Sequence, residues 1–338
     1  MTDTPSAKKD RKISWYRSPV DGRTLAVLNK RSDWKGFLQT AGHLGLLGLS
    51  GAAAWIAFGR LPLVIFLLLA FLHGTFWAFL LNAFHEFCHK SVFKTKILNV
   101  IFLYVVSFLS WNNPVLFWTS HQEHHKYTLH PPDDLEVVLP VKLTLKSFLQ
   151  NAFVSPWDFY ARLTSAVRLS VGRLGGEWEK AIFPETAVEL RRRLVGWARF
   201  QLVCHALIAI LALALGWWQV VVLFTLAPFY GGWLQFLCNN TQHIGLMDNI
   251  PDYRLCCRTI LLNPFVRFLY WHMNFHTEHH MYAAVPCYNL GKLHQQIKAD
   301  LPPCPRGLVA SWREIIPILK RQKTDPTYQH VAPLPERG

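Results

Sequence analysis

Residues 62–84 read PLVIFLLLAFLHGTFWAFLLNAF, 23 consecutive positions without a formal charge. A helix crosses a hydrocarbon core of about 30 Å with about 20 apolar residues, so length and composition both predict a membrane span here. Residues 37–58 form a second such stretch, and residues 196–238 run for 43 positions with Arg199 as the only formal charge. The long run is interrupted near Gly216-Trp-Trp-Gln219, which predicts two helices joined by a tight turn. The expected fold is therefore an all-α integral membrane protein with four transmembrane helices in two hairpins. With 51% hydrophobic and 17% charged residues, a polar-surfaced soluble domain is the wrong starting point.

The distribution of charge sets the expected orientation. Residues 1–35 hold nine Lys and Arg, whereas the turn at 59–61 holds only Arg60 and the turn at 216–219 holds none. By the positive-inside rule both termini and the central loop, residues 126–195, face the cytoplasm. The division predicted is a basic cytoplasmic segment 1–35, a membrane catalytic domain 36–322 and a flexible polar tail 323–338. Segment 1–35 is too polar for a secretory signal peptide. Within it Lys8-Lys9-Asp10-Arg11-Lys12 reads as a topology-setting tail able to attract anionic lipid or an acidic redox partner. No nucleic-acid partner is expected. The seven cysteines contain no C-x-x-C pair, and reduced thiols are the default on the cytoplasmic side.

Residues 97–117 are nearly apolar and long enough to cross. Crossing would put His85 and His89 on the opposite face of the membrane from His121. The Asn112-Asn113-Pro114 break predicts instead an interfacial helix or a re-entrant segment. The central loop is expected to carry an amphipathic helix around 141–170.

Four histidine clusters punctuate this framework. His85-Glu-Phe-Cys-His89 closes the second span. His121, His124 and His125 follow as H-x-x-H-H, and His276, His279 and His280 repeat that spacing 155 residues later. Asn239-Asn-Thr-Gln-His243 leaves the fourth span. On a helix, positions i, i+3 and i+4 lie on one side, so each H-x-x-H-H is expected to aim three ring nitrogens at one volume. With 16 histidines in 338 residues, a given three-histidine pattern arises by chance at roughly one position in ten thousand, so two copies are unlikely accidents. Nine imidazoles exceed one zinc site, which uses three or four ligands. Two metals with four or five nitrogen ligands each would use them all. Imidazole suits iron, copper, nickel and zinc alike. Iron is favoured because unactivated acyl C–H bonds call for a redox metal and activated oxygen.

The order H-x-x-x-H, H-x-x-H-H, N-x-x-x-H and H-x-x-H-H resembles the membrane fatty acyl desaturase superfamily over about residues 35–300. The resemblance implies a four-helix membrane bundle, a cytoplasmic helical cap carrying the clusters, and a non-haem di-iron centre. Carried over residue by residue, His85, His89, His121, His124, His125, His243, His276, His279 and His280 would be iron ligands, with Asn239 approaching one iron through a water. It also implies O2 as co-substrate, a membrane lipid or acyl substrate, and an external electron source. The sequence has no haem, iron–sulfur or flavin signature of its own, so a separate ferredoxin or cytochrome b5 type donor with its reductase is expected.

Rivals share parts of the pattern. A hydroxylase or ketolase would use the same metals on a lipid, terpenoid or polyketide. A zinc-dependent membrane hydrolase would need neither oxygen nor reductant. A metal transporter would place polar residues along its spans, whereas here they gather at the ends. Glu86, Glu123 and Glu278, and after them Asp133, Asp134 and Glu136, are candidates to accept the second N–H of a ligand imidazole. Lone His43, His73 and His205 are expected to be satisfied by neighbouring helices, and His294 and His330 to lie at the surface.

Overall fold

The computed structural model describes residues 12–336. Lys8 to Arg11 of the basic tail therefore lie outside the described residues. Among those described, the chain is helical, with isolated β-bridges and no named strand. In order it forms α1 (Gly22–Leu28), α2 (Asp33–Ala57), α3 (Leu63–Ala78), α4 (Leu80–Cys88), α5 (Lys96–Leu109) and α6 (Pro114–Tyr127). Then come α7 (Leu145–Ala152), α8 (Pro156–Ser170), α9 (Gly176–Ile182), α10 (Val188–Ala214), α11 (Trp218–Val220) and α12 (Trp233–Asn239). The last third contains α13 (Tyr253–Cys256), α14 (Pro264–Leu269), α15 (His276–Met281), α16 (Cys287–Ile297) and α17 (Gly307–Thr324).

Two helical stretches are long and apolar enough to span a membrane: α3 with α4, over Leu63–Cys88, and α10. A third is available if α5 and α6, bent by 107° at their junction, count as one broken span. Four spans were expected. The first, α2, is a continuous 25-residue helix packed along α3, but five glycines and the polar Gln39, Thr40, His43 and Ser50 dilute its apolar character. The fourth is not one helix at all. After α11 the chain passes through a π-turn at Val221–Thr225 and a 3-10 turn at Ala227–Phe229, and breaks at Tyr230-Gly231-Gly232 before α12. Pro228 cannot continue a helical ladder. Gly231 has φ +70°, and a Cβ there would sit 2.6 Å from the Phe71 carbonyl oxygen and the Thr75 amide of α3. Close approach of two backbones breaks this span.

The outward faces remain apolar. Leu67 and Leu68 on α3 and Val203, Leu207, Ile210 and Leu211 on α10 are more than half exposed, which suits lipid and not water. The lone histidines between the helices are satisfied, as expected. His43 Nε2 donates to the Phe76 carbonyl at 3.0 Å, which leaves Nδ1 to accept from the Trp271 indole at 2.9 Å. His73 contacts Ser50 and the Leu223 carbonyl, and His205 the Phe108 carbonyl.

The α5–α6 junction positions the site. Trp111 adopts φ +55°, Asn113 caps α6 by accepting from the Val115 and Leu116 amides, and Pro114 opens the helix. The turn sends α6 back towards α4, and the rings of His85 and His121 come within 4.4 Å, centroid to centroid. The amphipathic region 141–170 is two helices, α7 and α8, separated at Ser155-Pro156. At the C-terminus, part of the expected loose tail hydrogen-bonds to the segment after His243: the His330 amide donates to the Gly245 carbonyl, and Gln329 contacts Asp248.

Candidate metal centre

The nine histidines predicted from sequence converge. His85, His89, His121, His125 and His279 form one group whose ligand nitrogens all lie within 4.8 Å of one another. His243, His276 and His280 form a second, joined by Cys257. His124 stands beside the second group, its ring 5.0 Å from that of His280 and 5.3 Å from that of His243. The two groups adjoin, with the His125 and His280 rings 4.5 Å apart.

One expectation needs correcting: each H-x-x-H-H does not aim all three rings at one volume. Successive helical residues turn by about 100°, so i and i+4 differ by about 40° while i+3 lies about 60° to the other side. On α6, His121 and His125 accordingly face the first group and His124 the second. On α15 the assignment reverses, with His276 and His280 in the second group and His279 in the first. The two motifs interlock, and neither group is complete without both helices.

The outer nitrogens show which way the rings face. Nδ1 of His121 lies 2.7 Å from Glu136, Nδ1 of His124 2.8 Å from Asp134, Nδ1 of His85 3.2 Å from Glu86, and Nδ1 of His243 2.8 Å from the Cys256 carbonyl. Carbonyls and carboxylates accept, so each Nδ1 carries the proton and each Nε2 presents a bare lone pair inward. Those Nε2 atoms crowd together: His121 to His125 at 3.0 Å, His125 to His279 at 3.2 Å, His243 to His276 at 2.8 Å and His276 to His280 at 3.1 Å. A neutral imidazole has one N–H, and for His121 and His243 it is already spent on the outer side. Nε2 of His85 and of His89 is buried with no partner. Imidazole nitrogens this closely packed, with those of His121 and His243 bare and those of His85 and His89 without a partner, are the donor set of a cation, and the residues fit a metal in each group.

Electrostatics agree for most of the rings. His243 is held down to about 3, first by burial and then by the charge of His124. Burial likewise holds His276, His279 and His280 far below the ordinary histidine value, with neighbouring imidazoles adding to it. Asp134 is lowered: burial pushes it up, but the hydrogen bond and charge of His124 outweigh that. His124 goes the other way: burial pushes it down, but its hydrogen bond to Asp134 and the charges of Asp134 and Glu136 outweigh that and raise it. Burial also raises Glu136. Ligation needs neutral rings, and burial enforces that state on the others.

Other candidates fall differently. Asp134, Glu136 and Glu86 each hold a ligand-type imidazole. Glu278 instead receives hydrogen bonds from His294 Nδ1, at 2.5 Å, and from the Thr259 hydroxyl. His294 is thus buried on α16 and not at the surface, because α16 lays it against α15. Asn239 ends α12 four residues before His243, and among the described hydrogen bonds its side chain has none to a histidine. Cys257 was missed; its only sequence signal is its place next to Cys256 in a segment with no histidine.

On the side towards α5, the ring of Phe117 stacks on His121 at 4.9 Å and packs against Phe84 at 4.7 Å, an apolar wall against the first group. The family model described as Fatty acid desaturase matches residues 59–309. No curated protein gives a significant match.

Proposed function

Because the chain belongs to the fatty acid desaturase family, whose members are membrane-associated, oxygen-dependent oxidoreductases, we propose that it introduces a double bond into a lipid acyl chain, using O2 and two electrons. The observation that carries this reading is the pair of adjoining imidazole groups with lone pairs turned inward. One iron would be held by His85, His89, His121, His125 and His279. The other would be held by His124, His243, His276 and His280, with Asn239 reaching it through a water. When bound, the ions supply the activation of oxygen that removes two hydrogens from adjacent carbons.

The chain's own residues do the positioning. Asp134 and Glu136 keep protons on the outer nitrogens of His124 and His121 and so keep the inner ones free to bind metal. Phe84 and Phe117 exclude water from the first group. Holding the second C–H closer to the centre than the path that returns oxygen to carbon would select desaturation over hydroxylation.

Both termini and the centre are assigned to the cytoplasmic side, in keeping with the nine Lys and Arg of residues 1–35. There a separate donor, an acidic ferredoxin or a cytochrome b5 type protein with its reductase, would deliver electrons. The test is product analysis with purified enzyme, acyl lipid, O2 and reductant. A new carbon–carbon double bond that depends on O2 supports the proposal. A product carrying a new oxygen atom would make the enzyme a hydroxylase or ketolase, and turnover without O2 or reductant would point to a hydrolase.

A further inference from the structure

Among the described residues, Cys257 supplies the one non-histidine ligand atom in either group. Its Sγ lies within 4.8 Å of the ligand nitrogens of His243, His276 and His280. Two ligands of one ion, at about 2.1 Å for nitrogen and about 2.3 Å for sulfur, are at most about 4.4 Å apart, so a side-chain shift of a few tenths of an ångström at most brings this spacing into a shared coordination sphere. The residue is 1% exposed, as the C-cap of α13, and that helix packs on α15, which carries His276 and His280. Neighbouring Cys256 provides the contrast. Its Sγ is 3.9 Å from that of Cys257, it is equally buried, and it belongs to neither group.

A buried cysteine is ordinarily a small apolar filler. A further observation sets Cys257 apart. It faces three imidazoles, of which His243 presents a bare Nε2 and His276 has a buried Nδ1 with no partner.

We propose that Cys257 is a sulfur ligand to the metal held by His243, His276 and His280, which makes that position chemically different from the all-imidazole one. This rests on the two-metal reading above. On binding, the Sγ–H bond is replaced by a sulfur–metal bond and one proton is released. An anionic sulfur donor favours the more highly charged ion, so the two positions would differ in redox behaviour.

The test strips the full-length protein of metal in detergent and reloads it with cobalt(II), whose bonds to thiolate give a strong near-ultraviolet charge-transfer band. The band is expected in the parent protein and in Cys256→Ser. It is expected to vanish in Cys257→Ser, with cobalt affinity at the second position about 10-fold weaker or more. Two bound cobalt ions without the band in the parent protein, or a band that survives Cys257→Ser, would overturn the assignment and leave the two-metal reading standing. Failure of the parent protein to bind two ions would overturn that reading, and this one with it. Should Cys257→Ser not fold, X-ray absorption of the iron-loaded parent decides: a sulfur neighbour at about 2.3 Å supports the assignment, and a shell of nitrogen and oxygen alone refutes it.

Discussion

Asp134 accepts from His124 through one oxygen, which also accepts the Leu129 amide, while its other oxygen accepts the Glu136 amide. One buried carboxylate thus fixes an imidazole and the loop that brings Glu136 to His121. Asp134→Asn offers an amide N–H where an acceptor is needed, and metal affinity is expected to fall about 10- to 100-fold in a metal titration. Unchanged affinity would show that His124 needs no such support. His124→Ala and His279→Ala each remove a ring that crosses from one motif to the opposite group. Each is expected to abolish activity while the protein still inserts and expresses; most activity surviving in either variant would break the arrangement. His243 gives a pH prediction for the metal-free protein. Its folded value of about 3 lies below the ordinary 6.5, so the unfolded chain takes up the proton first as pH falls. Stability is present above about 6.5 and is lost as pH drops towards 3. Thermal midpoints across that range check this, and a flat profile would contradict it. At this scale the histidines were legible because their spacing carries the chemistry. Asp134 and Glu136 were legible only as candidates, and Cys257 not at all, since its neighbours come from segments far apart in the chain.

At the level of elements, the bend between α5 and α6 could be read from Asn112-Asn113-Pro114, because capping and proline geometry are local. The broken fourth span could not. Its cause is a backbone contact between Gly231 and α3, and Gly74 on α3 makes the reciprocal case, where a Cβ would come 2.3 Å from the Tyr230 ring. Gly231→Ala is expected to cost about 1–3 kcal/mol, through both the positive φ and the clash. A lowered thermal midpoint in detergent checks it; an unchanged midpoint would mean that α3 and this segment can separate freely. The opposed facing of the two H-x-x-H-H motifs follows from 3.6 residues per turn and was open to reading beforehand. Treating i, i+3 and i+4 as one face is adequate for apolar burial but too coarse for coordination, where about 60° decides which ion a ring meets.

For the molecule as a whole, helices with apolar outward faces support a centre made of four segments spread over nearly 200 residues, from His85 to His280. No single segment contains either group, so a metal bound there would couple to the docking of α4, α6 and α15. The basic character, +14 overall, suits an acidic electron donor. Turnover with such a donor is expected to weaken as ionic strength rises, and a rate indifferent to salt would remove the electrostatic argument. Elemental analysis of the detergent-purified protein tests the central claim most directly. Two groups of imidazoles call for about two iron atoms per chain; a single zinc with no iron, after metal exchange has been checked, would contradict the two-metal centre.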